Sequence, residues 1–151
     1  MSISNISQAS FAPLTLAALR ITSGTLFLAH GLVKTIGFPV GAQPGAQPLL
    51  SLMGIGGVIE VATGALLIAG LFTRSAAFVA SGQMAIAYWL FHAPASFHPS
   101  VNGGDAAILF SFVFLHIAVA GAGAFSLDAL LNRKLHVAGG NLAMPSPSKS
   151  R

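Results

Sequence analysis

Cysteine is absent from the 151 residues, so the chain can form no disulfide, thiolate metal site or dithiol redox centre of its own. Charge is nearly as scarce. Seven Lys and Arg with three Asp and Glu make 7% of the chain, against about 25% in a typical soluble domain. That leaves too little polar surface to hold a folded monomer in water. A cleaved secretory signal is not expected, because MSISNISQASFAP (residues 1–13) carries no basic residue ahead of an apolar core. Basic residues never run together between aromatics, so the net charge of +4 does not indicate nucleic acid. Carboxylates and histidines show no metal-ligand spacing, and there is neither a nucleophile elbow nor a phosphate-binding glycine loop. No metal site is expected.

What fills the chain is apolar: 54% hydrophobic residues and a mean hydropathy of +0.81. Four segments, about 14–33, 50–72, 75–91 and 106–125, approach the roughly 20 residues that carry a helix across a hydrocarbon core. The fold class that follows is all-α, an integral membrane bundle of four transmembrane helices in contact with the lipid bilayer. The expected plan is a short N-terminal segment (1–13), one four-span domain (14–131) and a flexible polar tail (132–151). Pro13 suits a helix start. TIGFPVGAQPGAQPLL (35–50) and HAPASFHPSVNGG (92–104) read as loops, and FTRS (72–75) as a tight turn that makes segments two and three antiparallel neighbours.

Orientation follows from Lys and Arg. Arg74, Arg133 and Lys134 fall on one side of a four-span chain, with only Lys34 at a membrane end on the other. Basic loops stay inside, which puts both termini in the cytoplasm.

One of the three acidic residues, Glu60, lies in the apolar stretch GGVIEVATG. Gly56, Gly57 and Gly64 share its helix face, so it should lie on a seam where a second helix approaches closely rather than towards lipid. In segment one, Arg20, Gly24, Phe27, Gly31 and Lys34 form a stripe with Ser23 and His30 beside it; in segment four, Asp105, Phe112, His116 and Gly123 share a face. Gln83 lies among the small residues of segment three. Threading the segments alternately places Arg20, Gln83 and His116 in the inner half, Glu60 near the midplane and His30 above it. Two ion pairs are expected: Glu60 with Arg20 or with protonated His30, and Lys34 with Asp105. Arg20 can instead extend to the cytoplasmic interface. A bis-histidine haem on His30 and His116 is not expected, since their depths differ by roughly 10 Å at 1.5 Å of rise per residue.

HGLVK (30–34), GGVIEVATGALLIAGLFTR (56–74) and NGGDAAILFSFVFLHIAVAGAGAFSLD (102–128) resemble the DoxX family. Its pattern is a first-helix His-Gly followed by Lys, a glycine-rich second helix bearing Glu, and Asn-Gly-Gly-acid before helix four. The acid is often Glu and here is Asp105. The resemblance covers about residues 14–131 and implies a four-span, multi-pass protein of the bacterial inner membrane, associated with redox systems.

The function expected is therefore a membrane component of a redox assembly, possible oxidoreductase association included, with a quinone or another small apolar ligand inside the bundle. Glu60, His30 and His116 are the candidate proton-handling groups. Arg20, Phe27, His30, Glu60, Gln83, Phe112 and His116 are the candidate ligand contacts. A redox partner protein or a homodimer is the expected company. The alternatives are a small transporter or proton-coupled permease using the same seam, and a scaffold without chemistry. The orientation has a direct test in a chain free of cysteine. Ser96→Cys should be labelled by an impermeant thiol reagent from outside and Ser75→Cys protected; the reverse pattern overturns it.

Overall fold

The computed structural model describes the backbone of residues 3–140 and the side chains of residues 11–135. All regular structure among them is helical: α1 (Ile3–Ile36), α2 (Leu52–Ala69), α3 (Thr73–Ala87) with a π-helical turn over Tyr88–His92, α4 (Pro99–Asn102), α5 (Asp105–Ala120) and α6 (Leu127–Gly140). Two stretches, Phe11–Ile36 of α1 and Leu52–Ala69, are long and apolar enough to cross a membrane; α5 is apolar but shorter. α1 packs along α2, α3 packs along α5, and α2–α3 contacts join the pairs.

Local chemistry sets the boundaries. Ser51 caps α2 by accepting the Gly54 N–H at 3.0 Å. Gly70, at φ 67°, ends it in the left-handed conformation that glycine tolerates best. Two expectations need correction. α1 begins well before residue 14, so Pro13 lies inside it. A proline there removes one N–H, the one that would reach the carbonyl four residues back, and the Thr15 hydroxyl adds bonds to the Phe11 and Ala12 carbonyls just beyond that gap. Residues 132–140, assigned above to a flexible tail, continue α6. Leu127, Leu130, Leu131 and Leu135 recur at helical spacing, which a reading based on polarity alone overlooked. The rest of the expected tail, 141–151, lies outside the described residues.

Glycine sets the α1–α2 contact. A Cβ on Gly31 would sit 2.7 Å from the Val61 nitrogen and 2.8 Å from the Gly57 carbonyl oxygen. One on Gly64 would sit 2.8 Å from the Leu28 nitrogen and 2.9 Å from the Gly24 oxygen. The two backbones therefore touch at matched positions, Gly24 with Gly64 and Gly31 with Gly57, along an antiparallel seam. In an apolar solvent such close packing, rather than water expulsion, holds helices together. Small residues do the same between α3 and α5. Ala76, Ala77 and Ala80 are buried against Phe114 and Ile117. Ser81 and Ser111 exchange hydroxyl-to-carbonyl bonds at 2.8 and 3.2 Å across that contact.

At the end of the bundle carrying the α2–α3 turn, charged side chains satisfy helix termini. Arg20, 1% exposed, donates to the carbonyls of Leu67, Ile68 and Phe125. Arg74 donates to those of Ala118 and Val119 at 3.0 and 2.7 Å. All but that of Phe125 lie in the last turns of α2 and α5, where a helix end leaves carbonyls short of intrahelical donors. Asp128 accepts from the Phe72 and Thr73 N–H groups at 2.9 and 3.0 Å, capping α3 from a distance. Burial would raise its pKa, but the Thr73 and Phe72 amides outweigh that and hold the carboxyl below its usual value.

The outer surfaces stay apolar. Leu26, Val58, Phe78, Leu109 and Val119 are all exposed, and lipid is the solvent that suits them.

Gly31→Val should destabilise the protein by about 1–3 kcal/mol, the usual cost of overpacking, read as a lower melting temperature in detergent. Gly82→Ala, where an added Cβ meets nothing within 4 Å, should leave it unchanged. Equal melting temperatures for the two variants would remove the glycine seam as the basis of the α1–α2 contact.

Candidate functional site

Glu60 lies just under one turn beyond Gly57 in α2, on the face that meets α1, and is 1% exposed. Its Oε1 accepts from Lys34 Nζ at 2.5 Å and from Gln83 Nε2 at 3.2 Å. The same Gln83 amide donates to the Gly56 carbonyl at 3.0 Å. Three helices thus converge on one carboxylate oxygen. The other oxygen, Glu60 Oε2, is buried with no hydrogen-bond partner, and so is Gln83 Oε1. A buried acceptor left unpaired costs on the order of 1–3 kcal/mol, so these two atoms require an explanation.

Both residues line a cavity of ≈ 710 Å³ between α1, α2, α3 and α5, large enough for a small-molecule ligand. Its walls are almost wholly apolar, with polar side chains at His30, Lys34, Glu60, Gln83 and His92. Phe27 and Phe110 form part of the wall, their ring centroids 5.7 Å apart. Leu52, Ile55, Phe78 and Ile86 line it and are also exposed, so its rim faces the lipid side of the helices.

The site residues expected from sequence divide into two groups. The structure brings Phe27, His30, Glu60 and Gln83 to this cavity. His30 is exposed there, its ring edge-on to Phe110 at 6.0 Å. The others are placed elsewhere. Arg20 does not reach Glu60; the open carbonyls at the end of α2 take it instead. Lys34 pairs with Glu60 and not with Asp105. Asp105 is exposed in the first turn of α5, where the helix dipole favours an acid. Phe112 and His116 are exposed on the outer face of α5 and line no part of the cavity. The buried face of that helix carries Ala107, Phe114 and Ile117 instead.

Phe110 is the wall residue the sequence reading missed. It stands two positions before Phe112, and the helix is apolar on every side, so its pattern does not say which phenylalanine points inward. The Lys34–Glu60 pair left a better trace. Gly24 and Gly31 are spaced as Gly57 and Gly64 are. Pairing them antiparallel sets Lys34 within side-chain reach of Glu60.

Asn102-Gly103-Gly104 resolves into structural chemistry. Asn102 Oδ1 accepts the Gly104 N–H at 2.7 Å, and its Nδ2 donates to the Ser96 carbonyl at 2.6 Å. A Cβ on Gly104 would lie 2.7 Å from the Tyr88 ring. The motif fixes the turn into α5. A second hollow, ≈ 600 Å³ at the opposite end, is lined by Arg74 and Asp128. Both are already committed to helix termini, which leaves the Glu60 cavity as the better candidate. Among the described residues no three His, Asp or Glu side chains group as metal ligands do.

Comparison with known proteins agrees with this arrangement of motifs. Residues 15–93 match the DoxX family. An uncharacterized protein of Haemophilus influenzae is 42% identical over 125 residues, covering 78% of this chain and 91% of its own. The inner membrane protein YqjF of Escherichia coli is 30% identical over 128 residues, covering 76% of this chain and 90% of its own. No solved structure matches.

The ion pair should respond asymmetrically to mutation. Lys34→Met strands a carboxylate that is 1% exposed and should cost about 3 kcal/mol. Glu60→Gln should cost less, because the Lys34 side chain is 18% exposed and can extend towards water. Adding Glu60→Gln to Lys34→Met should recover most of the loss. Additive losses in chemical denaturation would show that the two residues do not act as a pair.

Proposed function

The chain belongs to the DoxX family of membrane proteins, and from that premise we propose that it is a multi-pass inner-membrane protein that binds a small, mainly apolar molecule of the quinone class. The ligand would occupy the cavity beside Glu60, and the protein would act as a membrane component of a redox system. One observation carries the reading: an apolar cavity is lined by a buried ion pair that still has an unsatisfied carboxylate oxygen. A ring with a polar substituent and an apolar body matches that distribution. The lipid-side rim supports delivery from the bilayer, where isoprenoid quinones reside.

Four crossings would be made by α1, α2, α3 with its π turn, and α5. Thr73–His92 is 20 residues in continuous helix, roughly 30 Å at 1.5 Å per residue. α5, at 16 residues, is short and would be completed by Gly121–Ser126. Arg20, Arg74, Arg133 and Lys134 gather at the end that would face the cytoplasm, which supports cytoplasmic termini. The name of the Escherichia coli relative supports the inner membrane. Within the site, Glu60 and Lys34 are the groups able to hold or move a proton at the ligand's polar end. Electrons would be carried by the ligand or by a partner, and no electron step is assigned to the chain.

Protein purified in mild detergent should retain isoprenoid quinone in roughly stoichiometric amount, detected by absorbance and mass spectrometry after extraction. Gly82→Phe should lose it without loss of thermal stability, because Gly82 lines the cavity and a Cβ there meets no atom within 4 Å. Protein that retains no quinone, and shows no saturable binding of decylbenzoquinone or its quinol, overturns the reading.

A further inference from the structure

The polar end of the cavity has a direction as well as a position. Glu60 Oε1 already takes the Lys34 ammonium and the Gln83 amide N–H. What remains unsatisfied is Glu60 Oε2 and Gln83 Oε1, both buried and both acceptors. The Gln83 amide cannot be turned to offer its N–H₂ instead. Its present orientation gives both N–H bonds to the Gly56 carbonyl and Glu60 Oε1, and the flipped one would set three acceptors against one another. Lys34 Nζ lies 2.5 Å from Oε1, and a carboxylate held by an ammonium presents its second oxygen as an acceptor.

The geometry points to a ligand recognised through a hydrogen-bond donor: a hydroxyl-bearing aromatic head, of the phenol or hydroquinone type, in preference to a carbonyl-bearing one. This rests on the reading of the cavity as a ligand site and deepens it. A quinone carbonyl gains nothing from these two acceptors and would depend on a spare N–H of the Lys34 ammonium, which is held to Glu60 Oε1. A quinol or phenol hydroxyl donates to Glu60 Oε2 or Gln83 Oε1 and relieves the cost of an unpaired buried acceptor. Phe27 and Phe110 supply the apolar surface against which such a ring packs. For a molecule that exists in both oxidation states, the site would hold the reduced one more tightly and so bias the pool at this position.

The test uses the intact protein in detergent and three probes of similar size and apolar content: para-nonylphenol, its methyl ether, and decylbenzoquinone. The phenol should bind saturably and roughly tenfold or more tightly than the ether or the quinone, the order expected for one hydrogen bond to a charged acceptor. Glu60→Gln should reverse the order. With Lys34 and Gln83 occupying its oxygen side, the new amide would turn an N–H₂ into the cavity and favour the carbonyl probe. Gln83→Leu should weaken the phenol and leave the ether unchanged, a control that does not depend on the ion pair. Equal affinity for phenol and ether, or tighter binding of the quinone by the unaltered protein, overturns the donor preference while leaving the ligand site intact. Absence of saturable binding by all three probes overturns the ligand site itself, and the donor preference with it.

Discussion

Direct contact between the backbones of α1 and α2 is the constraint on which the rest of the structure depends. Gly24, Gly31, Gly57 and Gly64 let the helices lie so close that a Cβ at any of them would meet the neighbouring helix within 3.0 Å. The spacing of the two glycine pairs sets the register. That register places Lys34, near the end of α1, against Glu60, well inside α2. A carboxylate in so apolar a helix is costly unless a cation is near, and only a close and correctly offset α1 provides one. Packing and electrostatics are thus a single arrangement: the glycines bring the lysine, and the lysine makes the glutamate tolerable.

Three further charged side chains are used at helix ends. Arg20 and Arg74 meet terminal carbonyls, and Asp128 meets the first amides of α3. Each satisfies backbone groups that hydrocarbon would leave unpaired. With so few charged residues in the chain, this use is economical and it separates the two ends of the molecule. One end is locked by backbone capping. At the other, a carboxylate oxygen and an amide oxygen remain free beside a cavity. That contrast marks the Glu60 region, and not the arginine end, as the place for chemistry.

Several local features were legible because their physics is local. Ser51 ahead of α2, Gly70 after it, and the break between residues 36 and 52 follow from capping and turn preferences. Glu60 on a glycine face follows from helical spacing, as does the stripe from Gly24 to Lys34. Pro13 and the leucines of α6 were misread because a single strong preference, proline at a helix start or polarity in a tail, was allowed to outweigh periodicity. In α5 the failure has another cause. That helix is apolar all round, so no moment distinguishes the face of Phe110 and Phe114 from that of Phe112 and His116.

The sequence by itself determined that this is a helical chain suited to lipid, with an acid on a glycine seam and motifs that belong to one family. Composition, spacing and capping are properties of single segments, and each segment carries them whatever it packs against. The tertiary structure alone decided which cation serves Glu60, which phenylalanines wall the cavity, and which oxygens remain unpaired. Those outcomes depend on the rotation and offset of one helix against another. A turn of about 100° per residue or a shift of about 5 Å per helical turn is enough to exchange Lys34 for Arg20, or Phe110 for Phe112, with the sequence unchanged.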